Sequence, residues 1–149
     1  MLLPLFEGLV RTTHFDYEMA RLADRHYSRR TPGARQFAYS GRKLVLRDVA
    51  GLVLFVWIWP RAELRMDGRD GFHCAIFRNE STRRSSDIIL EAEAHAARRW
   101  GPNRAFTFVD PRKVASPNPG YCFKAAGWRF TGRTKSGLHV LEKTLAPVD

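Results

Sequence analysis

Residues 106–132 read FTFVDPRKVASPNPGYCFKAAGWRFTG, and the order of events in that stretch decides the fold. An apolar, alternating strand over Arg104–Val109 stops at Asp110-Pro111, because proline cannot donate to a ladder. A polar loop with Pro111, Pro117 and Pro119 follows, then a short helix over 119–126 and a new strand over 129–134. Strand, loop, helix, strand is the grammar of an α/β domain. In an open α/β sheet, a polar side chain at a strand's carboxyl end points into the ligand crevice. Asp110 is therefore a candidate to accept a proton from an amine or to hydrogen-bond a base edge. The alternative is an Asp-Pro turn in which Asp110 caps its own loop. The loop is longer than the usual 2–6 residues, which favours a role in a site. Within it, Ser116 and Asn118 suit base-edge hydrogen bonds, and Arg112 with Lys113 suits a phosphate.

Upstream, residues 16–28 place Met19, Leu22, Ala23 and His26 or Tyr27 on one face of a helix, and Pro-Gly makes 29–34 a turn. Segments 35–47 and 52–59 are predicted as strands joined around Asp48 to Gly51, with 71–77 a third. Residues 86–100 carry the strongest helix pattern: Ser85 or Ser86 as cap, Ile89, Ala92, Ala96 and Trp100 as a stripe, and Gly101-Pro102 as the stop. Segments 129–134 and 138–145 close the chain as an antiparallel pair. The whole of 1–149 reads as a single α/β domain with a mixed sheet.

Composition narrows the class. Apolar residues make up 44% of the 149-residue chain, enough for a core. The longest apolar run, AGLVLFVWIWP at 50–60, is too short for a membrane span. MLLPLFEGLV lacks the pattern of a signal peptide. Only Cys74 and Cys122 are present, and the expectation is a cytoplasmic protein without a disulfide framework. His73, His95 and His139 have no ligand spacing, so no metal is assigned. The 25 Lys and Arg against 15 Asp and Glu give +10, with a pI near 10.4. Such a field favours polyanions, DNA foremost, and arginine predominates, the better fork for phosphates and base edges.

The element order, with the AAGW step at 125–128, resembles the GNAT superfamily of acyltransferases. That likeness implies a central mixed sheet flanked by helices, and a slot for an acyl-CoA between the fourth and fifth strands. Within the superfamily, HYSRRTPG (26–33), AIFRNE (75–80), SSDIILEA (85–92), FTFVDP (106–111) and NPGYCFKAAGWRFTGRT (118–134) resemble the Mom-like bacteriophage DNA-modification proteins. The motif residues that match are His26, Tyr27, Arg78, Asp110, Pro111, Ala125, Trp128 and Gly132. Two features depart from the pattern. Residues 78–86 (RNESTRRSS) lack the glycines of the usual pyrophosphate loop. Phe123 stands where the superfamily places a tyrosine acid, leaving Tyr121 as the nearby candidate.

The resemblance implies an N-acyltransferase that uses acetyl-CoA or another acyl-CoA to modify a nucleobase, or an amine-bearing hypermodified base, in phage DNA and so protects it from host restriction. Asp110, His26, Tyr27, Glu80 and Tyr121 are then the catalytic candidates. Arg78, Arg83, Arg84, Ser85 and Ser86 are the cofactor-binding set, at a helix N-terminus suited to phosphate. Arg29, Arg30, Arg112, Lys113 and Arg133 are candidates to hold the DNA backbone. Glu80 has a plainer alternative as a solvated ion pair with Arg78, Arg83 or Arg84. Two rival expectations stand beside this one: an ordinary small-amine or protein N-acetyltransferase, and a non-catalytic nucleic-acid-binding module on the same fold.

Overall fold

A computed structural model describes residues 8–26, 38, 41–60, 70–114 and 117–148. Tyr27, Arg29, Arg30 and Ser116, and most of segments 29–41 and 61–69, lie outside the described residues. Those described form a mixed α/β structure of seven strands and three helices. In chain order they are β1 (Val10–Thr12), α1 (Tyr17–Asp24), β2 (Arg42–Arg47), β3 (Val53–Trp59), β4 (Phe72–Asn79), α2 (Ser85–Trp100), β5 (Arg104–Val109), α3 (Tyr121–Ala125), β6 (Arg129–Arg133) and β7 (His139–Thr144). The sheet order is β1-β2-β3-β4-β5-β7-β6. All neighbours are antiparallel except β4 and β5, which run parallel.

Alternation along β2 and β3 sorts two apolar clusters onto opposite faces. Leu44, Leu46, Val53, Phe55 and Trp57 gather with Ile88, Ile89, Ala92 and Ala96 of α2 and with Phe123 of α3. Val45, Leu54, Val56 and Ile58 gather with Met19, Leu22 and Ala23 of α1. Helix α1 begins as expected, with Asp16 Oδ1 accepting from Met19 N at 3.1 Å. It ends at Asp24, with Arg25 as its C-cap, short of the expected 28. Asp48 secures the β2–β3 turn by accepting from the N–H groups of Leu52 and Val53 at 2.8 and 2.9 Å.

Neither serine caps α2. The N-cap is Arg84, by its extended backbone and without a side-chain bond, so Ser85 and Ser86 occupy the first turn. Strand β1 has no counterpart in the sequence reading. Its three residues are too few to carry a period, and its pairing with β2 defines it. No helix among the described residues is long and apolar enough to cross a membrane.

The parallel junction positions the site. β4 and β5 are in register only at Phe72↔Ala105 and His73↔Phe106. They start in close approach, since a Cβ on Gly71 would run into the carbonyl oxygen of Arg104. One residue further, the Thr107 hydroxyl donates to the Cys74 carbonyl at 2.9 Å, a side chain standing in for a ladder bond. Beyond that β4 follows β3 out to Asn79↔Val53, while β5 follows β7 out to Val109↔His139. An extra residue in β4 around Ala75, where Val56 faces Ile76 but Trp57 faces Cys74, adds a local bend. The two strands therefore diverge toward their carboxyl ends.

Candidate active site

The ends of β4 and β5, beyond their two paired positions, carry most of the residues singled out from the sequence. On the β4 side, Arg78 and Asn79 end the strand. Arg78 Nε donates to Glu80 at 3.0 Å, and Arg78 Nη1 donates to the Arg25 carbonyl at 3.2 Å. Arg25 Nη1 reaches both Glu80 oxygens, at 2.6 and 2.7 Å. The Arg25 guanidinium, with Arg78 beside it, holds the Glu80 carboxyl below its ordinary value. Glu80 is exposed and arginine-bound, the state of an ionised pair and not of a raised-pKa base in an apolar cleft. The pair was foreseen with Arg78; its second arm is Arg25 of the α1 C-cap.

His26 lies next to this cluster. Burial, reinforced by the Arg78 charge, lowers its pKa to about 4. It is therefore a neutral imidazole at pH 7, able to hydrogen-bond but weak as a proton acceptor.

Asn79 organises the turn from β4 into α2. Its amide donates to the Arg83 carbonyl and to Ser85 Oγ, at 2.9 and 3.0 Å, while its oxygen accepts from Ser81 N and Ser81 Oγ. The residues expected to hold a cofactor lie at this turn or, for Arg78, at the strand end before it, with Arg84 exposed and Ser86 buried. Arg83 bends back along α2 to Glu91, 3.0 Å away. The first-turn N–H groups of a helix have no intrahelical partner, so the turn offers donors and a favourable dipole to an anion. The single asparagine among the three serines of RNESTRRSS gives no sign of these four bonds in the sequence, because the same composition describes any polar turn.

On the β5 side, Asp110 accepts from Arg112 N at 3.0 Å and from Arg112 Nε at 3.0 Å. This is the turn-capping geometry that the sequence left open as the alternative for Asp110. The Arg112 guanidinium holds its carboxyl below the ordinary carboxylate value. Arg112 in turn reaches the Ser136 carbonyl of the β6–β7 turn at 3.4 Å. Lys113 is exposed, and Asn118 accepts from Lys124 at 2.6 Å.

Helix α3 packs against α2 and β6. Gly120 precedes it with φ 75°, and a Cβ there would collide with Leu141 and touch Val109; only glycine lets the loop pass so close. Phe123 is buried, edge-on to Phe77 at 6.0 Å and to Trp128 at 4.9 Å. Tyr121, two residues earlier, is 63% exposed, so the two rings project to different sides as the helical period requires. Burial raises both Cys74 and Cys122, so neither is a thiolate nucleophile at neutral pH.

Helix α2 ties the two sides together. The Trp57 indole N–H of β3 donates to the Ala92 carbonyl at 2.9 Å. The adjacent Glu93 accepts from Trp128 Nε1 and pairs with Lys143 of β7, both at 2.8 Å. Among the described residues no group of three or more His, Cys, Asp or Glu is placed to hold a metal ion. Comparison of the chain with known protein families, with curated proteins and with solved structures finds no match.

Proposed function

We propose that this protein is a GNAT-fold acyltransferase that binds acetyl-CoA or another acyl-CoA in the slot between β4 and β5 and transfers the acyl group to a nucleobase amine in DNA. The observation that carries the reading is the pair of parallel strands that part after two residues of pairing, with a helix N-terminus immediately after the first of them. Unpaired strand edges offer N–H groups to a thioester carbonyl and to a pantetheine arm. The turn around Arg84 and Ser85 suits the pyrophosphate.

The chemistry of the walls favours a particular acceptor. Asp110 and Glu80 are held ionised by arginines, and His26 is a weak base. An alkylamine, protonated at neutral pH, needs a base to become a nucleophile; an aromatic nucleobase amine is already uncharged. In the transfer, the amine nitrogen bonds to the carbonyl carbon, the C–S bond breaks, and the amine's surplus proton ends on the departing thiolate. A duplex base must first be flipped out. In the phage setting that the Mom-like resemblance suggests, the modification guards the DNA against host restriction.

The test has two stages. Calorimetry with acetyl-CoA should give saturable binding that weakens when Arg84 and Ser85 are both replaced by Ala. Nucleoside mass spectrometry of DNA incubated with protein and acyl-CoA should then show a new acylated base. No heat with any acyl-CoA would leave a non-catalytic nucleic-acid-binding module; cofactor binding with acylation of free amines only would leave an ordinary N-acetyltransferase.

A further inference from the structure

The sheet ends on β6, and the chain around that edge is chemically one-sided. From 111 to 141 there is no Asp or Glu, while Arg112, Lys113, Lys124, Arg129, Arg133 and Lys135 all fall within it. The fold gathers these residues at one end of the sheet: Arg112 follows β5 and reaches the β6–β7 turn, Lys124 is on α3, and the last three are on β6 or the turn after it. Arg129, Arg133 and Lys135 are exposed. Of the acids beside it, Asp110 is bound by Arg112 at 3.0 Å, and Glu142 lies opposite Arg129 in register and is approached by Arg104 at 3.9 Å.

An aromatic platform sits inside this charge. Phe130 is 44% exposed, and the Arg133 guanidinium lies over its ring at 5.5 Å. Below it, His139 meets the ring edge-on at 5.0 Å, with its Nδ1 buried and unpartnered. The register runs Val109↔His139↔Arg133, a straight row across β5, β7 and β6 from the mouth of the slot to the sheet edge. Along β6, Arg133 shares the face of Phe130 across the irregularity at 130–132, while the neighbouring Arg129 opens onto the other face of the same edge.

We infer that the β6 edge is the docking surface for a single nucleic-acid strand beside the target nucleotide, with a base stacked on Phe130 and phosphates on Arg129, Arg133 and Lys135. The inference rests on the DNA acceptor proposed above and adds where the strand lies. A basic groove with an exposed aromatic is how strands are gripped without sequence preference. A surface for acidic protein would have no use for the ring.

Filter binding of end-labelled single-stranded and duplex oligonucleotides over a salt series tests it. Phe130→Leu, which keeps apolar cover over His139 but removes the π-face, should weaken single-strand binding at least about fivefold. The triple change R129Q/R133Q/K135Q should lower the slope of log K against log salt by about 2. A control, R98Q/R99Q on exposed α2 positions, should leave affinity for the strand largely intact. If the native chain binds DNA and all variants bind equally, the docking surface is elsewhere while the DNA reading stands. If the native chain binds neither oligonucleotide, the DNA reading falls and this inference with it. Unchanged affinity with new self-association of the triple variant would overturn it too, making the charges a guard on an unpaired strand edge. So would equally tight binding of polyglutamate that Phe130→Leu leaves unaltered.

Discussion

The two halves of the sheet, β1 to β4 on one side of the parting and β5, β7 and β6 on the other, are built to different purposes. The first half is centred on a strand that is apolar on both faces: Val53 through Ile58 of β3 are all fully buried, and α1 and α2 cover opposite sides. The second half is buried along β5 and β7, at Ala105, Phe106, Val109, Val140 and Leu141, but ends in a strand with Arg129, Phe130, Thr131 and Arg133 exposed. The difference teaches where stability and where recognition are invested. A strand buried on both faces cannot change without a cavity; an exposed edge is free to carry charge.

Substitutions of aromatic residues break the comparison most sharply. Trp57→Ala removes a fully buried ring and the bond to Ala92, and should cost about 3–5 kcal/mol. Phe130→Ala should stay within about 0.5 kcal/mol. Urea unfolding of both variants measures the contrast, and similar losses would mean that the β6 edge is core.

Acid should act on the first half first. Burial lowers His73 to about 3 and His26 to about 4, both from 6.5. Below pH 6.5 the unfolded chain takes up these protons while the folded chain does not, so stability falls with pH. Each histidine contributes up to about 1.4 kcal/mol per pH unit until its folded value is reached, and nothing above 6.5. His73→Phe preserves the stack on Phe106 and should remove one of the two contributions. An unaltered slope between pH 6 and 4 would show that His73 does not enter the fold neutral.

The smallest effect on folding belongs to Asp110→Asn. The amide oxygen still accepts from Arg112 N, and the exposed Arg112 loses its ion pair. The melting midpoint should stay close to that of the unsubstituted chain, while acyl transfer to DNA, read by nucleoside mass spectrometry, should fall. A lowered midpoint with transfer per folded molecule intact would make Asp110 a turn residue alone.

How much of this was legible follows the same division. The continuous apolar run of β3, the alternating pattern of β5 and the stop at Gly101-Pro102 announce themselves, because burial and backbone chemistry act locally. The closing pair over 129–144 was readable for the same reason. What sequence could not provide is neighbourhood across the fold. That β7 enters between β5 and β6 is decided by long-range pairing. Glu80 finds Arg25 across 55 residues, and no spacing rule encodes that meeting. The Asp110–Arg112 contact was within reach as a turn, since Asp-Pro with a donor two residues on is a local motif. For the candidate site, the loop after β5 was visible by its length, and the organising role of Asn79 was hidden by a composition that also describes any polar turn.

The clasp at Ala92 and Glu93 has an optical consequence. Trp57 belongs to the first half and Trp128 to the second, yet their rings stack at 6.2 Å with planes 17° apart. Two indoles so close and so nearly parallel couple their transitions, and the coupling depends steeply on separation and tilt. Any ligand that spreads or tightens the parting of β4 and β5 moves one ring relative to the other. The near-ultraviolet circular dichroism of the unlabelled protein is thus a built-in gauge of how wide the sheet stands open.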